Sequence, residues 1–343
     1  MNEYDVLNAW KLYFEDRGLS PDIIGGYIES MRPVVSKGLP VIFEVEHLSL
    51  LFGMKLDELQ KIIFAPDRFY RKFNIPKRSG GVREISSPYP SLLSCQSWIY
   101  KNILLSQTVH DCAHGFVPGR SIVTNAKCHL NKKALLKMDL KDFFPSIPMS
   151  WVVNFFSGLG YSNNVSFYLS SLSCLDDSLA QGSATSPYLS NILLVGLDHR
   201  LNKLAQAYGL DYTRYADDLA FSGDYIPHNF ISVVEDIVTD YGLTPNVSKT
   251  KLHLNPGQRI VTGVSVSGDR LTLPRSMRRE IKKEFHYIKK FGLLSHISKS
   301  KIRNPFYLDV IEGRLAFWLQ VEPGNSFALD AIRYIRGVRP EVD

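Results

Sequence analysis

"RYADDLAFSG", residues 214–223, sets two adjacent aspartates inside an otherwise apolar stretch. Burying even one ionised carboxylate is costly unless something compensates its charge. An Asp-Asp pair most often serves a turn or a helix cap, but that leaves the hydrophobic residues on both sides without a reason. The wider segment "GLDYTRYADDLAFSGD" (209–224) predicts two strands meeting at a tight turn near Ala216-Asp217. The carboxylates then sit at the tip of a hairpin.

A third carboxylate belongs with them. "ALLKMDLKDFF" (134–144) alternates, with Leu136, Met138 and Leu140 facing one way and Lys137, Asp139 and Lys141 the other. If this strand neighbours the hairpin in one sheet, Asp139, Asp217 and Asp218 converge at its edge. Crowded carboxylates repel one another and raise their own pKa values. Divalent cations remove the repulsion, and an all-oxygen donor set suits Mg²⁺ completed by water and substrate phosphates. Two such ions, about 3.5–4 Å apart, stabilise the attacking and leaving oxygens of an in-line phosphoryl displacement.

Composition narrows the class. With 343 residues, 45% hydrophobic and 22% charged, the chain is long enough for two or three packed lobes and is not a disordered sequence. The longest apolar runs, such as "NILLVGL" (191–197), are too short to span a bilayer, so no membrane is expected. "MNEYDVLNAW" lacks a basic region followed by an apolar run, so no secretory signal is expected. Cys95, Cys112, Cys128 and Cys174 form no CxxC pair, which points to reduced thiols and a cytoplasmic location. "HDCAH" (110–114) has metal-ligand residue types, but no second cluster completes a tetrahedral site, and a local structural role is expected.

The net charge of +6 is unevenly distributed. Residues 275–303 carry a local +8, which leaves the remainder at −2. Within "RSMRREIKKEFHYIKKFG" (275–292), Met277, Ile281, Phe285, Ile288 and Phe291 recur at helical spacing, with basic residues on the other faces. Such a face is commonly just solvated; this concentration suggests a phosphate backbone beside it. Upstream, "VEHLSLLFGMKLDELQKIIF" (45–64) reads as amphipathic helix, and "FNIPKRSGGVREISSP" (73–88) as a hairpin around Ser79-Gly80-Gly81.

These residues together resemble a known family. "YADD" (215–218) looks like the YxDD motif of reverse transcriptases, and "LLKMDLKDFFPSI" (135–147) is similar to their first catalytic motif. "QGSATSPYLSNILL" (181–194) resembles the segment between them. Two further marks narrow the resemblance to bacterial retron reverse transcriptases: NAxxH, as Asn125-Ala126-Lys127-Cys128-His129, and VTG, as Val261-Thr262-Gly263.

The resemblance implies an α+β, right-hand polymerase. Its expected parts are an N-terminal helical extension (1–44), fingers (45–120, with part of 148–180), a palm with the catalytic motifs (121–266) and a helical thumb with a basic face (267–343). It implies an RNA-directed DNA polymerase that copies a structured non-coding RNA (msr-msd) from an internal guanosine 2′-OH and leaves branched RNA–DNA. A partner effector protein in anti-phage defence is implied too, and higher-order assembly stays open. Asp139 and Asp217 resemble the metal-bridging pair for two Mg²⁺ ions, with Asp218 completing the triad.

For the deoxynucleotide, Phe144 matches the aromatic under the sugar, while the backbone of Asp142 and Phe143 matches the triphosphate cradle. Phe143 itself is expected in the core. Lys77 and Arg83 resemble fingers residues on the outer phosphates, and Gln181 a support for sugar and triphosphate, or else a buried structural amide. Lys249 in "NVSKTKL" (246–252) resembles the lysine proposed to protonate departing pyrophosphate. Arg120, Asn125, His129, Val261, Thr262, Gly263, Arg278 and Lys282 are the expected RNA- and template-binding residues; the lesser alternative is structural, with Asn125 capping a helix and Val261 filling a strand. Two other classes share much of this pattern. An intron-type or defence-associated reverse transcriptase would keep the triad without depending on NAxxH and VTG; a non-catalytic RNA-binding scaffold would have no reason to keep three crowded carboxylates.

Overall fold

Residues 209–224 form the expected strand pair, and a four-stranded sheet is built on it. In the computed structural model, residues 2–76, 80–254 and 257–338 are described. Lys77 lies outside them. The described residues contain strands β1 (Tyr70–Pro76), β2 (Val82–Pro88), β3 (Ala134–Asp139), β4 (Cys174–Leu175) and β5 (Ser178–Leu179). They continue with β6 (Asp211–Tyr215), β7 (Asp218–Gly223), β8 (Lys251–His253), β9 (Ile260–Val261) and β10 (Val264–Ser265). The large sheet runs β6-β7-β3-β8, with each neighbouring pair antiparallel.

The chain divides into two compact units. The first comprises Met1–Phe116, Leu140–Arg200 and Val233–Pro245; the second comprises Val117–Asp139, Leu201–Ser232 and Asn246–Asp343. The expected boundary near residue 120 lies close to the break between Phe116 and Val117, and within the expected palm segment the chain passes between the units several times.

In the first unit, helices Glu3–Asp16 and Pro21–Val35 carry their own small core of Leu7, Phe14, Ile24, Met31 and Val35. Asn2 caps the first of them, its side chain accepting from Asp5 N. Residues 45–64 form two helices, Val45–Phe52 and Leu56–Phe64, broken at Gly53, whose φ of +65° ends the first. β1 and β2 pair from Tyr70 opposite Pro88 to Pro76 opposite Val82, as the hairpin pattern predicts. Gly182 is required by close approach: a Cβ there would lie 2.5 Å from Ser86 O, where Ser86 N donates to Gln181 O at 2.8 Å.

In the second unit, the large sheet is covered on one face by the C-terminal helices. Leu135 and Ala220 join Ile281, Phe285, Ile288 and Trp318 in one cluster. The clean in-and-out alternation expected for β3 is therefore broken at Leu135, which is buried although it shares a face with Lys137 and Asp139. Residues 275–338 are helical, as Arg275–Phe291, Leu293–Lys299, Tyr307–Val321 and Ser326–Val338. Ile281, Phe285 and Ile288 are buried along the first, but Phe291 at its end is 45% exposed and does not join the expected apolar stripe. No helix among the described residues is long and apolar enough to cross a membrane.

Candidate active site

The ladder register brings two of the carboxylates together. Asp139 stands directly opposite Asp218 across β3 and β7, and Tyr215 pairs with Asp218 to close the β6–β7 hairpin. Cross-strand partners share a face with Cβ atoms about 4.5–5.5 Å apart, and like charges so placed destabilise a sheet. Asp217 lies in the two-residue turn beside them. The preceding Ala216 holds φ +56°, uncommon for a residue with a Cβ, and the buried Arg214 donates from Nη1 to Ala216 O at 3.3 Å. Such strain persists only where surrounding contacts over-determine it.

The electrostatics follow from this crowding. Burial, and then the negative charges of Asp218 and Asp139, push the Asp217 carboxyl up to about 6. Burial also raises Asp218, against the opposing pull of Lys137. Asp139 is buried but compensated: Asn246 Nδ2 donates to its Oδ1 at 2.9 Å, and Lys249 Nζ donates to its Oδ2 at 2.8 Å. That bond to Asp139 raises Lys249 in turn. Asn246 N also donates to Asp139 O at 2.7 Å.

Among the described residues, no three His, Cys, Asp or Glu side chains stand in a ready-made metal-holding arrangement. The donor chemistry nevertheless fits a hard divalent cation. Two of three adjacent carboxylates resist ionising, and a cation bound there would relieve both.

In the first unit, Phe143 is buried and Phe144 half-buried, with ring centroids 5.2 Å apart. Phe144 also stands 6.2 Å from the Phe116 ring. Phe143 thus takes the core place expected of its side chain. Asp142 is exposed with φ +46°, Gln181 is half-buried, and Arg83 is exposed opposite Ile75 in the β1–β2 hairpin.

Three of the residues expected to face RNA are buried. Asn125 and His129 are each only 1% exposed, and Val261 is buried. His129 is held between two hydroxyls, Nδ1 2.7 Å from Ser222 Oγ and Nε2 2.7 Å from Thr213 Oγ1, which ties it under β6 and β7. Asn125 Nδ2 donates to Thr262 Oγ1 at 3.2 Å, and Thr262 Oγ1 donates to Ile122 O at 3.2 Å. Side chains engaged this way present no free donor outward. The two motifs, 137 residues apart, are instead one packed structure.

Of them, Gly263 is exposed and Thr262 half-buried, with Arg120 half-buried as well. Lys282 is exposed, its ammonium 5.0 Å from the Phe327 ring centroid, and Arg278 is half-buried. Strand alternation put Lys137 on the face of Asp139 without giving it a role, while Asn246 and Arg214 carry no local signal and were missed.

A strand register that opposes two aspartates, with a third in the adjoining turn, is common to few chemistries, and the wider sequence decides between them. Residues 75–293 match the family model described as reverse transcriptase (RNA-dependent DNA polymerase). The chain is 32% identical over 266 residues to the retron Ec86 reverse transcriptase of Escherichia coli, covering 76% of this chain and 83% of that one.

The chain belongs to the retron reverse transcriptase family.

It is also 36% identical over 273 residues to the retron Mx65 reverse transcriptase of Myxococcus xanthus, covering 73% of this chain and 64% of that protein. Among solved structures, a telomerase from Candida albicans aligns with a TM-score of 0.43 at 11% identity, over 78% of this chain and 63% of that one. By the family model and these relatives the chain is an RNA-directed DNA polymerase, and its described residues form a mixed α+β fold.

Proposed function

We propose that this retron reverse transcriptase copies a cognate structured non-coding RNA, starting from an internal 2′-OH, and leaves a branched RNA–DNA product. The observation that carries the catalytic part is the register of Asp139 opposite Asp218, with Asp217 in the adjoining turn. Asp139, Asp217 and Asp218 would hold two Mg²⁺ ions. When bound, these supply charge neutralisation for the attacking and leaving oxygens of the phosphoryl transfer. The remaining roles belong to this chain's own side chains.

Phe144 lies beneath the incoming sugar and rejects a 2′-OH by its bulk. The backbone N–H groups of Asp142 and Phe143, with Lys77, Arg83 and Gln181, hold the triphosphate and sugar. Lys249, already protonated and hydrogen-bonded at Asp139, supplies a proton to the leaving pyrophosphate. Arg120, Thr262, Gly263, Arg278 and Lys282 contact RNA, while Asn125, His129 and Val261 hold the surface that does so. An effector protein and anti-phage defence follow from the retron assignment, as does work in the bacterial cytoplasm, which a sequence without a CxxC pair suits.

The test is purification followed by sequencing of the nucleic acid that accompanies the protein. Branched RNA–DNA is expected with the wild type and none with Asp217→Ala/Asp218→Ala, which should still fold because removing crowded charge relieves repulsion. Unbranched RNA alone with the active protein would refute initiation from a 2′-OH. Near-normal extension of a primed RNA template by the double variant would remove the triad from catalysis.

A further inference from the structure

Both carboxylate oxygens of Asp139 are engaged. Its Oδ1 accepts from Asn246 Nδ2 at 2.9 Å and its Oδ2 from Lys249 Nζ at 2.8 Å. Both donors come from one short stretch: the turn of 3₁₀ helix Val247–Lys249 follows Asn246, and Lys249 N closes back on Asn246 O at 2.9 Å. The two donors differ in how firmly they are fixed. Asn246 is tied to Asp139 O through its own backbone and accepts from Ser248 Oγ at 2.8 Å. Lys249 reaches Asp139 on a flexible stem, its side chain 54% exposed against 10% for that of Asp139. An ammonium and a divalent cation held on the same carboxylate oxygen repel each other, so the arrival of one weakens the hold of the other. Of the two partners, Lys249 is the one whose side chain already reaches water.

We propose that Lys249 is an internal counter-ion for Asp139: its ammonium holds the carboxylate in place in the metal-free enzyme and is displaced when Mg²⁺ arrives. The inference rests on the metal-holding role proposed above and extends it. It gives Lys249 a task before nucleotide binds. It also makes release of the ammonium conditional on metal, so the lysine becomes available only in an enzyme ready to react. Asn246 is a positioning residue that keeps the carboxylate aimed while its other oxygen changes partner.

The test is thermal denaturation of wild type and Lys249→Met, each in chelator and in saturating Mg²⁺, with Lys251→Met, another exposed lysine, as background. In chelator, Lys249→Met should melt lower than wild type by roughly 1–3 °C, since a buried carboxylate has lost its partner. In Mg²⁺ the two proteins should melt together, because the lysine no longer contributes in either. A gap of the same size in both conditions would show that Lys249 stays on Asp139 with metal bound, and would overturn the proposal. No gap in chelator would overturn it as well, by showing that the contact does not hold the carboxylate. If Mg²⁺ shifts neither protein and neither makes DNA, the metal-holding role itself fails, and this proposal with it. A protein that responds to Mg²⁺ and makes DNA while the gap stays constant loses only the counter-ion role.

Discussion

At the scale of single residues, Asp217 sits in an environment that opposes its charge. Its folded pKa of about 6 lies above the ordinary 3.8, so the fold favours the neutral form. Its contribution to stability is therefore full below pH 3.8 and is lost as pH rises through about 6. In chelator, urea unfolding should show the wild type losing on the order of 2–3 kcal/mol relative to Asp217→Asn between about pH 4 and pH 7. Saturating Mg²⁺ should abolish that loss, since the cation favours the ionised form. A wild-type-to-variant difference that stays constant with pH would mean Asp217 titrates as an ordinary surface carboxylate. Phe144 makes a second residue-level claim. Phe144→Val should raise ribonucleotide incorporation relative to deoxynucleotide on the order of tenfold, as a steric block is replaced by space for a hydroxyl. Unchanged discrimination in single-nucleotide insertion by a folded variant would leave Phe144 as a packing residue beside Phe143 and Phe116.

At the scale of elements, the β9–β10 hairpin explains why NAxxH and VTG belong together. Its two-residue loop has φ +45° at Thr262 and +83° at Gly263, the positive pair that suits the twist of flanking strands. Glycine takes this conformation freely, but a β-branched threonine does so only under constraint. Asn125 and Ile122 O, both from the helix Ile122–Lys127, supply it through Thr262 Oγ1. Asn125→Ala should therefore loosen the exposed Gly263 tip without touching the carboxylates. Initiation on the cognate RNA should fall several-fold, while extension of a generic DNA primer on an RNA template should survive at equal protein and fixed salt. Equal losses in both assays would indicate a general folding defect. His129→Ala is a harsher change: it leaves two buried hydroxyls without their shared partner, at about 1–3 kcal/mol for each group, and should lower the melting temperature.

At the scale of the whole molecule, charge is the organising quantity. Residues 275–303 carry +8 while the rest of the chain sums to −2. Ile281, Phe285 and Ile288 turn inward along the basic helix, so its lysines and arginines are the residues left on its outer faces. Binding to an RNA–DNA duplex should thus weaken steeply with salt. Lys282→Ala should lower the slope of log affinity against log salt by about one if that side chain meets a phosphate. A slope unchanged by Lys282→Ala would place the backbone elsewhere, with Lys282 held at Phe327.

What the sequence determined by itself was everything that depends on local pattern and motif order. The patterns of 134–144 and 209–224, with a turn between Tyr215 and Asp218, predicted β3, β6 and β7 of the large sheet but not β8. The Asp-Asp pair within apolar neighbours marked the site, and helical spacing marked the C-terminal helices. Only tertiary structure decided what depends on partners distant in the chain. The register that opposes Asp139 to Asp218 is set by strand pairing, and the hold of Asn246 and Lys249 on Asp139 needs residues more than a hundred positions away. Asn125 and His129 read in sequence as polar groups available to RNA. Burial against Thr262, Ser222 and Thr213 turned them inward, because a buried amide or imidazole must be hydrogen-bonded and those hydroxyls were in reach. A polar residue in a sequence shows what it can bond, and packing chooses the partner.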